Sequence, residues 1–166
     1  MTSPIAIPSP LPPNIYGSLL RRDLVAFIQR AFCELNPQGR FQSAPYIELL
    51  ASRLEDCRTG KIKRLIINLP PRSLKSHSAT VVFPAWLLGH DPTIEIIAAS
   101  YGQDLADKLA RDTRKLMEND WYRTLFSTRL STRRAINDFA TTAGGTRMAT
   151  SVGGVLTGRG AEVIDR

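Results

Sequence analysis

The sequence predicts an α/β fold, with a central, mostly parallel sheet held between helices in three layers. Three observations carry this expectation. Residues 62–69 (IKRLIINL) and 94–100 (IEIIAAS) have the length and apolar content of buried strands. Residues 75–88, between them, and 103–119, after them, read as helices, the second with Leu105, Leu109, Arg111 and Leu116 along it. Strand alternating with helix implies parallel βαβ units, with ligands at the carboxyl ends of the strands.

Each remaining element follows from local chemistry. Residues 1–13 hold five prolines and no charged side chain, so residues 1–17 are expected to form a proline-rich flexible tail. Leu20, Leu24, Phe27, Ile28, Ala31 and Phe32 recur at helical spacing and predict one helix over 18–35, ended by Asn36-Pro37 and Gly39. Ile47, Leu50 and Leu54 predict a second over 44–58, closed before Gly60. Together these make a helical segment, 18–60, ahead of an α/β core, 61–166. After 121–126, residues 135–142 and 146–150 flank Gly144-Gly145 and predict a hairpin. A glycine-rich stretch follows, and the chain turns apolar again at Val163-Ile164. There is no internal repeat.

A chain of 166 residues can bury one core. Its net charge of +7 and pI near 9.9 favour an anionic partner, either nucleic acid or nucleotide phosphates. The alternative is a basic surface with no partner. Cys33 and Cys57 lack metal-ligand spacing, and one disulfide is a possible pairing. Their helix-like surroundings favour reduced, half-buried thiols of a cytosolic protein. No apolar run approaches the ~18 residues of a membrane span. The opening MTSPIAIPSP lacks the basic patch of a secretory signal.

The most informative stretch is RLIINLPPRSLKSHSAT, from Arg64 to Thr80. Strand, loop, Lys-Ser, helix is the order of a phosphate-binding loop, in which backbone N–H groups and a helix N-terminus converge on phosphate. Lysine then reaches the β/γ-phosphates and a hydroxyl holds magnesium. Lys75 and Ser76 stand at those places. The two glycines of the usual pattern are replaced by Leu69 and Leu74, and Leu74 is the serious departure because its Cβ crowds the phosphate. A Lys-Ser pair at a helix start also occurs in proteins that bind nothing. His77 reads as a first-turn residue without a chemical role.

The series RLIINLPPRSLKS, FPAWLLGHDP, IIAASYGQDLADKLARDTRKLM and TTAGGTRMATSVGGVLTGRGAEVI resembles the ATPase half of phage terminase large subunits, the motors of viral DNA packaging. The resemblance covers about residues 40–164, in the family's order. It implies a P-loop NTPase three-layer sandwich, ATP and Mg²⁺ as cofactors, and a cradle of Pro71, Arg72, Ser73, Leu74, Lys75 and Ser76. In that carry-over Lys75 contacts the β/γ-phosphates, Ser76 holds Mg²⁺, and Arg72 senses or stabilises the γ-phosphate. Arg159 resembles an arginine that reaches a neighbouring subunit's ATP, with a flexible-loop arginine, or one that touches DNA phosphates, as the alternative. Tyr101 and Gln103 follow a strand end that lies near the nucleotide in the family. Their competing reading is a packed tyrosine beside a helix cap by Ser100 or Asp104.

The family continues its later strand into an acidic pair. Here Asp165 is the candidate metal-supporting carboxylate, and Arg166 stands where the second acid belongs. The resemblance therefore implies ATP binding with little turnover by these residues, a core truncated near the Walker B strand and no nuclease domain. It further implies double-stranded DNA, a terminase small subunit and a portal protein as partners, a possible homo-oligomeric ring, no membrane, and the cytoplasm of a bacterial host carrying the phage or prophage. A different reading is a non-enzymatic module that binds DNA or a terminase subunit and retains a vestigial loop. A small P-loop kinase would need an arginine-rich lid, and no such segment is present.

Overall fold

The computed structural model describes residues 13–132, 138–151 and 163–165. The expected tail lies outside them through residue 12, but its last part is helical: α1 spans Pro13–Arg22. Proline at a first helical position loses nothing, because that N–H has no intrahelical acceptor. The helix expected over 18–35 is two helices. Asp23 adopts extended backbone and caps α2, Leu24–Leu35, accepting from the N–H groups of Val25 at 2.8 Å and Ala26 at 3.1 Å. α2 buries Leu24, Phe27, Ile28 and Ala31, one face at helical spacing. α3, Pro45–Arg58, matches its expected span and buries Ile47, Leu50, Ala51 and Leu54.

Beyond the loop the chain forms one continuous rod. It begins at Lys75, passes through a π-helical stretch, His77–Val82, and ends as α4, Phe83–His90. Pro84 accounts for part of this irregularity, since it has no N–H for the carbonyl of Thr80 four residues back. β1, Glu95–Ser100, follows after a short link. α5, Gln103–Glu118, turns Ala106, Leu109, Ala110, Thr113, Leu116 and Met117 inward. The segment 121–126, unassigned in the sequence, lies mostly in α6, Asp120–Leu125, where the Tyr122 hydroxyl donates to the Ala85 carbonyl at 2.8 Å.

Among the described residues the sheet has four strands in the order β2-β3-β1-β4, with β2 at Asp138–Ala140, β3 at Thr146–Ser151 and β4 at Val163–Asp165. β1 pairs in parallel with β3 (Ile96 opposite Arg147) and with β4 (Ala98 opposite Asp165). β2 and β3 form the expected antiparallel hairpin. The hairpin's turn is pinned by Gly145, whose N–H donates to Pro92 O at 3.0 Å; a Cβ there would sit 2.4 Å from that oxygen.

Residues 62–68 correct the sequence reading. They were expected as a strand beside 94–100, but they form no ladder, and both edges of β1 are taken by β3 and β4. The fold is thus mixed α/β, with its helices over the sheet face that carries Ile96, Phe139 and Ala149. One apolar core runs from Leu20 of α1 through α2, α3, the rod, α5 and α6 to Ile96 and Phe139, so the helical residues before 60 share it with those after. Ala106 and Ala110 let α5 approach Ala149 closely. No helix among the described residues is long and apolar enough to cross a membrane.

Candidate phosphate-binding loop

Pro70 and Pro71 stiffen the entry to the loop. The loop then closes on itself, as the buried Ser73 hydroxyl donates to Pro70 O at 2.7 Å. The residues on either side of Ser73 are left-handed, Arg72 with φ 64° and Leu74 with φ 59°. Non-glycine residues seldom adopt such values outside turns with a purpose. Leu74 occupies the place of the usual glycine and takes the backbone conformation that glycine would supply. Its side chain is half-buried against the main core, which holds the strained residue in place.

The rod starts immediately afterwards. Ser78 N–H donates to Leu74 O at 2.8 Å, so the N–H groups of Lys75, Ser76 and His77 have no carbonyl four residues back within the helix. Ser76 caps the π-helical stretch by position, but its side chain makes no capping bond. Arg72, Lys75 and Ser76 are exposed, and neither cation has an acidic partner within ion-pair distance among the described residues. The six predicted cradle residues, Pro71 to Ser76, thus form one loop in which Ser73 is buried, Leu74 half-buried and the other four exposed.

The other predicted residues are distributed differently. Asp165 lies in β4, opposite Ala98 of β1. Arg159 falls outside the described residues. Tyr101 is 94 % exposed, so the packed reading fails for it. The cap of α5 is Gly102 with no side-chain bond, so neither Ser100 nor Asp104 caps it. Gln103 donates to Asp107 at 2.7 Å along the helix surface.

His77 packs against α2. Its ring meets Phe32 of α2 edge-on at 5.7 Å. Burial holds its imidazole below the ordinary value, against the opposing pull of the Ile28 backbone and Asp112. Both thiols are free; Cys33 is exposed rather than half-buried, and burial beside Asp56 pushes the Cys57 thiol up. No group of His, Cys, Asp or Glu among the described residues is arranged to hold a metal.

Sequence reasoning missed the residue that steadies the rod. Arg147 of β3 is fully buried, and its Nη2 donates to the Thr80 carbonyl, the one Pro84 leaves without its α-helical donor. An arginine inside the run TRMAT, together with a proline inside a helix, was the available signal. A concavity of about 360 Å³ lined by Cys57, Arg58, Phe83, Leu87, His90, Asp91 and Ile94 lies at the far end of α4, away from the loop.

No protein family, curated protein or solved structure matches the chain.

Proposed function

We propose that the chain binds ATP with Mg²⁺ at residues 71–76 and is the ATPase portion of a DNA-packaging terminase large subunit. The observation that carries the reading is the left-handed backbone of Leu74 directly before Lys75 and Ser76. It supports a phosphate cradle built without its glycine, because alternating left-handed residues turn successive N–H groups toward one concavity. The exposed donors fit the group: Lys75 for the β/γ-phosphates, Arg72 for the γ-phosphate, and the Ser76 hydroxyl for the metal. Magnesium, when bound, neutralises charge on the phosphate oxygens. Asp165 of β4 is the proposed supporting carboxylate, and Arg159 the proposed contact to a neighbouring subunit's nucleotide.

Calorimetric titration tests this. Lys75→Ala should remove the heat of ATP binding, Ser76→Ala should remove its magnesium dependence, and Leu74→Gly should bind as well or better. Equal ATP affinity for wild type and Lys75→Ala would overturn the reading.

The second reading is a DNA-binding module with a vestigial loop. It draws on the stretch Arg58–Ser76, which holds six cations (Arg58, Lys61, Lys63, Arg64, Arg72 and Lys75) and no carboxylate. Salt-sensitive binding to duplex DNA that survives Lys75→Ala, in a chain that gives no ATP heat, would favour it.

A further inference from the structure

Residues Lys63–Leu69 belong to no helix or strand, and among the described residues none of their N–H or C=O groups makes a backbone hydrogen bond. The segment is bracketed by bonds that belong to its neighbours: Ile62 N–H donates to Asp56 O at 3.1 Å, and Pro70 O accepts from Ser73. Its side chains nevertheless alternate as a strand's do. Leu65, Ile67 and Leu69 pack against the main core, while Arg64, Ile66 and Asn68 face solvent, Ile66 at 88 % exposure. A run of unpaired backbone with one face already anchored is a template for another strand.

The outer row says what kind. Lys63 and Arg64 have no acidic partner among the described residues, and Lys61, the next cation toward α3, is paired with Asp56 at 3.3 Å. Like charges directly opposite one another destabilise a pair of strands, so this segment opposes in-register parallel pairing with a second copy of itself, which would set Arg64 against Arg64. Opposite charges favour pairing. We infer that Lys63–Leu69 is a docking edge for an extended segment of a partner protein in which acidic side chains alternate with apolar ones. Carboxylates would meet Arg64 on the solvent face, and the alternate apolar side chains would join Leu65, Ile67 and Leu69 on the core face. The incoming backbone would fix Asn68 and Leu69 just ahead of the 70–76 loop. This inference does not depend on nucleotide binding.

The probe is a synthetic peptide of about eight residues alternating glutamate with valine, against the same peptide with lysine for glutamate, on the full chain. Amide hydrogen exchange is read at residues 63–69. The glutamate peptide should slow exchange there by about tenfold or more, and the lysine peptide should not. Ile66→Pro, at an exposed position, should abolish the protection. Arg64→Glu should weaken the glutamate peptide, which keeps the test open if the proline variant unfolds. Three results would overturn the inference. Slow exchange in the chain alone would mean the edge is already covered, and concentration dependence would identify a second copy as the cover. Equal protection by both peptides would remove the charge rule. Protection by a duplex oligonucleotide but by neither peptide would make the run a nucleic-acid surface.

Discussion

Arg147 Nη2 donates to the carbonyl of Thr80 at 3.3 Å, joining β3 to the rod that follows the loop. Pro84 is the reason that carbonyl needs an outside donor. Arg147→Met should therefore cost about 1–3 kcal/mol, the usual penalty for a buried acceptor left short of a partner. In a Pro84→Ala background the new N–H can take the arginine's place, and the same change should cost about 1 kcal/mol less. A denaturant double-mutant cycle measures the difference. Strict additivity would mean that Thr80 does not couple the two residues.

The left-handed conformation at Leu74 makes a prediction of its own. Leu74→Asn keeps a residue that tolerates positive φ, whereas Leu74→Val keeps the apolar character but introduces β-branching, which positive φ penalises. Valine should be the less stable by about 1 kcal/mol or more despite its better hydrophobicity. The reverse order in chemical denaturation would show that apolar contact alone sets the loop.

Acid should destabilise the chain through His77. Its folded imidazole is held below the ordinary value of 6.5, while the unfolded chain takes up its proton near that value. The unfolded state then binds more protons, so stability is full above about pH 6.5 and falls as pH drops toward the folded value. His90 is shifted in the same direction by burial and Arg58. His77→Gln should flatten the pH profile of the melting temperature between pH 7 and 5, leaving the part due to His90. An unchanged slope would mean that His77 titrates normally.

Gly145 is required for space. Added Cβ atoms would lie 2.4 Å from Pro92 O and 2.8 Å from Ile94 O, both backbone atoms that cannot swing aside. Gly145→Ala should cost about 3 kcal/mol, or roughly 10 °C in Tm for a chain of this size. A loss below about 1 kcal/mol would show that the hairpin turn yields easily.

The helices were legible because their apolar spacing is a local property: α3 and α5 lie within a residue or two of where Ile47-Leu50-Leu54 and Leu109-Leu116 put them. The break at Asp23 was legible too, in an N-cap residue standing before Leu24, but the continuous apolar spacing concealed it. Residues 62–69 failed for a different reason. Their composition is that of a strand, and their alternation is real, but a strand also needs a partner edge, and no local signal supplies one. At the loop, Lys75 and Ser76 were visible by type, whereas the positive φ at Arg72 and Leu74 reflects packing around the chain and leaves no mark in either residue's identity.

β1 has a neighbour on each side, and both come from far along the chain: Glu95 lies opposite Thr146, and Ile96 opposite Val163. The helices, by contrast, are made of contacts between near neighbours. Closing long loops is entropically costly and slow, so the helical layer should assemble first and the sheet should zip onto it last. In refolding, far-UV ellipticity should recover before amide protection appears at Ile96–Ala98. The central strand would then be the last part of the molecule to become rigid, and for that interval Ile96 and Ile97 would stand exposed as its stickiest surface.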